Sequence, residues 1–321
     1  MDIGKNIGLK YGAATRDAFG ETLHSLGGEI NNIVVVDGDL NDSTRTKFFK
    51  QAYPDRFFNM GIAESNVVGV ASGLAAAGKQ PLAASFASFL LGNAYDQIRM
   101  SIAYPNLNVK LVGSHSGISL GEDGPSQMSI EDLALAASFP NMTVLVPADE
   151  TATRWATRAM FDHDGPVYLR TSRPAAPQLY NENTTFEMGK AIEVVAGEDI
   201  TIIACGLMVA AAMEAAHVLS EKGIKARVLD MHTVKPVDHA AITKAARETG
   251  AIVTAEEHSI VGGLGAAVAQ IVTHEYPVPM AFVAIMDTYA ESGDPDDLFA
   301  RYGLSPDHIV RAVEDAINRK T

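Results

Sequence analysis

The chain has 321 residues, enough for two domains at about 150 residues each. Its 47% hydrophobic content excludes an intrinsically disordered chain. A formal net charge of −14 disfavours nucleic acid and anionic membrane surfaces as partners, yet it leaves room for a local basic pocket.

From the N-terminus, MDIGKNIGLKYGAATRD has no apolar signal core, and the low-polarity stretch Val67–Gly78 is shorter than the ~20 residues a membrane span needs. Residues 32–36 read as a buried strand, followed by the turn Asp37-Gly38-Asp39. Residues 64–77 read as a buried helix and 109–113 as a strand. Helix 131–138, strand 143–146, helix 150–161 and strand 167–170 complete the first half. The stretch RPAAPQLYNENTT at 173–185 has prolines, amides and no apolar period, which predicts a linker. A second α/β pattern follows, with strands 200–204, 226–230, 251–254 and 281–285 and helices 208–222, 238–249 and 264–274. Strands alternating with helices at this spacing predict α/β domains with mostly parallel sheets. The predicted division is 1–175, a linker at 176–188, and 189–321. Cys205 is the single cysteine; it excludes an intrachain disulfide, fits a reducing cytoplasmic compartment, and reads as core rather than nucleophile.

Two glycine motifs point away from nucleotide or metal binding. Gly262-Gly263-Leu264-Gly265 lacks the spacing and the downstream acid of a dinucleotide loop, and reads as a tight turn into a helix. In Asp37-Gly38-Asp39 the residues stand in the wrong order for the Gly-Asp-Gly of metal-diphosphate sites. Glu256-Glu257-His258 would point apart on a strand, so no metal site is predicted.

Three segments resist explanation as packing alone. In Met60-Gly61-Ile62-Ala63-Glu64-Ser65-Asn66 a carboxylate opens an apolar helix, where it serves either the helix dipole or proton exchange. Phe86 and Phe89, three apart, can share a helical face as an aromatic wall. The polar, Gly-rich stretch 113–127 follows a buried strand, the place where open α/β sheets put their sites.

In order along the chain, GIAESN, FASFLLGNAYDQIR, GSHSGISLGEDGPSQMSIEDLA and RTSRP resemble the transketolase family over nearly the whole length. The resemblance implies the pyrimidine-binding domain of a thiamine-diphosphate enzyme followed by the smaller C-terminal domain. It puts Glu64 against N1′ of the cofactor's aminopyrimidine, in an apolar pocket, and makes Phe86 and Phe89 the wall around that ring. Gln127 and Asp39 become further cofactor contacts. Arg16, Ser43, His115 and Arg173 match the family's sugar-phosphate ligands, and Asp123 its contact to an acceptor hydroxyl; His115 also joins Glu64 as a catalytic candidate. Arg170, next to this set in sequence, faces the other way by strand alternation. Gln127 stands where many relatives carry histidine, which excludes acid–base work there. Gly92 stands where relatives place a larger side chain.

The family's metal- and diphosphate-binding domain has no counterpart here. Together with Met1, this implies a naturally split enzyme, with Mg2+ or a similar ion held by an N-terminal-type partner subunit in an α2β2 heterotetramer. The β subunit of a 2-oxoacid dehydrogenase and a non-catalytic partner of the same fold are the alternatives.

Overall fold

The computed structural model describes residues 2–320. Its main sheet has seven strands in the order Thr233–Lys235, Thr143–Leu145, Val167–Arg170, Lys110–Ser114, Gln80–Phe86, Ile33–Asp37 and Phe57–Asn59. Every neighbouring pair is parallel except the first, where Thr233–Lys235 runs against Thr143–Leu145. Both faces are covered, so the strands read as unbroken apolar runs rather than alternating ones. Alternation survives in what each residue touches. Val35, Leu82, Ala84 and Val112 pack with Phe19, Leu23 and Met160. Their neighbours Val36, Ala83 and Leu111 pack on the opposite face with Val67, Leu90 and Leu133.

The second sheet has five strands in the order Met280–Ile285, Ile252–Ser259, Ile200–Ala204, Ala226–Asp230 and Ile192–Val195, the last antiparallel. The two sheets are not independent. Thr233–Lys235 leaves the second half of the chain to edge the first sheet, and one apolar core joins Val144 and Tyr168 to Met231 and Leu264.

Several expectations need correction. The stretch expected as a linker opens with a strand, Ala175–Pro177, paired antiparallel with Tyr11–Ala14. Beyond it the Asp149 carboxylate accepts the backbone N–H groups of Leu179 and Tyr180, both at 2.9 Å. Phe186 stacks on Trp155. The proline-rich composition described turns tied to the body by hydrogen bonds. Phe86 is the last residue of strand Gln80–Phe86, and the helix Ala87–Asn93 starts after it. The helix Thr15–Glu29 carried no sequence signal because Gly20, Gly27 and Gly28 interrupt it. Two of those glycines are sites of close approach: a Cβ at Gly20 would lie 2.5 Å from the Arg45 side chain, and one at Gly27 2.4 Å from the Tyr53 ring. Gly262, at φ +79°, does turn the chain into the helix Leu264–Glu275. Among the described residues no helix is long and apolar enough to cross a membrane.

Candidate active site at the carboxyl ends of the parallel strands

Strand Gln80–Phe86 lies between Ile33–Asp37 and Lys110–Ser114 in the sheet, and the segments leaving the carboxyl ends of these strands carry most of the candidate groups. This is where a doubly covered parallel sheet leaves polar groups uncovered.

Glu64 is the first residue of the helix Glu64–Ala76 and is only 4% exposed. One carboxylate oxygen accepts from the Ser85 hydroxyl at 3.0 Å and the other from the Asn93 amide at 3.4 Å. The expected apolar pocket is thus corrected to a polar seat, built by the last turn of the strand and the end of the next helix. A carboxylate has about four lone-pair positions, so two donors leave acceptor capacity open.

Phe86 and Phe89 do form a wall, with ring centroids 5.6 Å apart and planes at 23°. The Phe86 ring also stacks on His115 at 4.0 Å. Gln127 joins this side through the Ser88 hydroxyl, which donates to the Gln127 carbonyl at 3.0 Å. Gly92 is exposed with open space around it, so a larger residue would fit there without a clash.

His115 has φ +59° and is 2% exposed. Its Nε2 lies 3.0 Å from Nη1 of Arg16, which also donates to the Ser43 carbonyl at 3.3 Å. Because a guanidinium only donates, Nε2 accepts; the proton then sits on Nδ1, 2.8 Å from the Ser114 hydroxyl. Burial, and then the charges of Arg16, Arg173 and Arg45, push the imidazole down to about 3. His115 is therefore neutral here. Ser43 meets Arg16 through its backbone.

Arg173 donates to the Leu120 carbonyl at 2.7 Å and to Glu122 at 2.8 Å, with Asp123 3.8 Å away. Burial and Arg45 push Arg16 down from its ordinary value, Asp17 pulls it back, and Arg173 pushes it down again. Three guanidiniums therefore share one neighbourhood. Nε of Arg16 is buried without a partner, a donor in want of an acceptor.

Arg45 is the member that sequence reasoning missed. It sits at φ +67°, held by Asp17 at 2.5 Å, in a turn that belongs to none of the four motifs.

The remaining candidates separate. Asp39, at φ +68° and exposed, accepts from the Asn59 amide at 2.7 Å, with no contact to Glu64 or the arginines. Asp37 is spent on the Thr44 and Thr46 hydroxyls and the Leu40 N–H. Arg170 is buried in a bidentate pair with Asp132, as strand alternation required. Among the described residues no group of three or more His, Cys, Asp or Glu is placed to hold a metal.

The pyrimidine-binding domain of transketolase matches residues 12–178, and the transketolase C-terminal domain matches residues 189–309. The chain belongs to the transketolase family. It is 42% identical to a putative transketolase C-terminal section of Methanocaldococcus jannaschii, over 95% of this chain and 96% of that protein. It is also 42% identical to the 6-deoxy-6-sulfo-D-fructose transketolase subunit SqwH of a Clostridium species, over 95% of both chains. A solved structure described as a split gene transketolase, an inactive β4 tetramer, superposes with a TM-score of 0.91 at 47% identity, covering 97% of this chain and 100% of that one.

Proposed function

We propose that this chain is the pyrimidine-side subunit of a two-subunit, thiamine-diphosphate-dependent transketolase. It would transfer a two-carbon ketol unit from a ketose phosphate to an aldose acceptor. The observation that carries the reading is the unbroken series of contacts from the Glu64 seat through Ser85, Phe86 and His115 to Arg16. A carboxylate fit to exchange a proton and a cluster fit to hold an oxyanion stand at opposite ends of one aromatic wall.

The residues fit the cofactor's pyrimidine end. Glu64 keeps open acceptor capacity, the Phe89 ring is partly uncovered, and Gly38 has no side chain on the side of the Glu64 carboxylate, where a Cβ would lie 3.6 Å from it. When bound, thiamine diphosphate supplies the nucleophilic carbon that takes up the ketol unit. Glu64 holds a proton at N1′ of the pyrimidine. Phe86 and Phe89 would exclude water from the ring, with Gln127 tied to that wall through Ser88; Asp39, held by the Asn59 amide away from Glu64, is the weakest of the proposed cofactor contacts. Arg16 and Arg173 would clamp the sugar's terminal oxyanion, assisted by Ser43, while neutral His115 accepts from Arg16 through Nε2 and so orients that guanidinium. Asp123 accepts from an acceptor hydroxyl. A 2-oxoacid, having no terminal phosphate, would leave the three arginines unused.

Diphosphate and a divalent ion, Mg2+ or similar, are assigned to a partner of the N-terminal transketolase type in an α2β2 assembly. Ile62 is 85% exposed two residues before Glu64; an apolar group of that size at a site's edge suits a subunit contact. A similar chain is described as an inactive tetramer of its own kind. The test is reconstitution. The purified chain should show no ketol transfer at any thiamine diphosphate concentration, and activity should appear on mixing with the partner and Mg2+. Donor panels of ketose phosphates and 6-deoxy-6-sulfo-D-fructose would identify the sugar. Turnover by the chain alone would sink the two-subunit reading.

A further inference from the structure

The second α/β unit supplies none of the groups gathered around Glu64 and the arginines, yet one of its carboxylates reaches the loop that carries several of them. Glu257, on strand Ile252–Ser259, is 3% exposed. Its Oε1 accepts the backbone N–H of Ser119 at 2.5 Å, across 138 residues of chain. The contact interlocks with Gly117 at φ +76°, where a Cβ would lie 2.2 Å from the Glu257 carboxyl. Ser119 stands midway between His115 and Asp123, and no secondary structure surrounds it to pair its N–H.

The anchor is itself braced. Arg170 donates to the Glu257 carbonyl at 2.9 Å and to the Ser129 carbonyl at 3.3 Å, while Asp132 holds its guanidinium from the other side. The Gly117 N–H donates to the Ser129 carbonyl at 2.7 Å, closing the base of the loop. Burial raises the Glu257 carboxyl and the Arg170 charge lowers it. A buried carboxylate is a costly way to fill space, since an apolar residue of similar volume packs without desolvation. Its retention against a loop amide points to a function in that loop.

We propose that Glu257 is a positioning residue for the substrate. By holding the Ser119 N–H from the second unit, it sets the loop so that His115, Asp123 and Gln127 face the site; this rests on the substrate reading above. Glu257→Ala leaves the amide unpaired and the loop free to shift, whereas Glu257→Gln keeps an oxygen for the same hydrogen bond.

The experiment uses the full chain, alone and reconstituted with its partner. Hydrogen exchange of the peptide spanning 115–127 should quicken about 10-fold in Glu257→Ala and return toward wild type in Glu257→Gln. In the complex, kcat/KM for sugar phosphates should fall about 10- to 100-fold in the Ala variant, mostly through KM, because small misplacements of binding groups are costly. Exchange of the cofactor C2 proton turns on Glu64, whose partners Ser85 and Asn93 lie outside the loop, so it should fall by at least about 5-fold less than substrate use does. If Glu257→Ala does not fold, Gly117→Ala disturbs the same contact from the loop side and should give the same pattern. Unchanged loop exchange, or equal losses in C2 exchange and substrate use, would show that Glu257 is only cement between the two units. If the wild-type complex transfers no ketol unit, the functional reading fails, while the hydrogen-exchange result still decides the positioning claim.

Discussion

Replacing Glu64 by glutamine separates its two possible duties, helix-start carboxylate and proton carrier. The structure sets the size of the unwanted effect. The glutamine oxygen can keep the Ser85 hydrogen bond of 3.0 Å, and its NH2 would then face the Asn93 amide, 3.4 Å away. Asn93 is exposed and can turn its own oxygen inward, so no buried donor is stranded. What is lost is one charge-assisted hydrogen bond replaced by a neutral one, about 1 kcal/mol. That lowers Tm by about 1–2 °C in a chain of this size and explains no more than about a 5-fold loss in any rate. Removing a positioned proton carrier costs about 10²–10⁴-fold, equivalent to about 3–5 kcal/mol. The two effects are separated by at least an order of magnitude. The assay is deuterium exchange at C2 of bound thiamine diphosphate, by acid quench and NMR, in the reconstituted complex with assembly checked by sedimentation. Slow exchange at retained assembly and near-normal Tm assigns the proton to Glu64. Wild-type exchange in the glutamine variant would reduce Glu64 to a helix-start carboxylate and take the mechanism with it.

Arg173→Ala should lower kcat/KM by about 10- to 100-fold with phosphorylated acceptors and far less with unphosphorylated ones; equal losses would show that Arg173 holds only the Leu120 loop. Arg45→Ala should act more weakly, by about 3- to 10-fold, because Asp17 already compensates its charge; the loss should shrink as salt is raised, measured as KM against ionic strength. The His115 imidazole resonances should not titrate between pH 5 and 8 in the free chain, because burial and the surrounding arginines hold it down at about 3. The folded pKa lies below the unfolded 6.5, so this residue contributes stability above pH 6.5 that is lost as pH falls toward 3. Denaturant melts of His115→Gln should accordingly lose less stability than wild type across that window.

The parts of this fold legible in the sequence are those where one physical signal dominates. Ile33–Asp37 and Lys110–Ser114 are buried along their whole length and declare themselves as short apolar runs. Strand Gln80–Phe86 lies deep in the same sheet, but QPLAASF has no β-branched residue and carries a proline, so propensity and burial disagree and burial wins. Its misreading put Phe86 on a helix. The ring still reached Phe89, since the helix begins one residue later. Glu64, His115, Arg16 and Arg173 came from family motifs, whereas their convergence depends on which strands lie side by side. Arg45 was illegible because its position follows from a left-handed turn and a missing Cβ at Gly20. Glu257 was read only as a carboxylate that could not share a metal with its neighbours. That alternation holds: Glu256 turns to the N–H groups of Leu264 and Gly265, while Glu257 turns to Ser119.

The overall charge also shows why a pocket cannot be judged from a sum. A chain of net charge −14 gathers Arg16, Arg45 and Arg173 close enough to depress the protonation of His115 between them. Their counter-charges are not of one kind. The Asp17 partner of Arg45 is part-buried, with side-chain exposure of 32%, whereas the Glu122 partner of Arg173 is 75% exposed. An exposed ion pair of the second kind contributes about 0–1 kcal/mol, since water solvates both ends nearly as well apart. A charge-assisted hydrogen bond to an oxyanion is worth about 1.5–3 kcal/mol. A phosphate arriving as proposed would therefore displace Glu122 from Arg173 at a net gain. Against the Asp17–Arg45 pair the gain would be smaller, so Arg45 contributes field rather than contact. Arg16, with a buried Nε that has no partner, starts with least to give up. On the proposed reading the order of dependence follows from this exposure: Arg16 and Arg173 would contact the anion, and Arg45 would set the potential in which they do so.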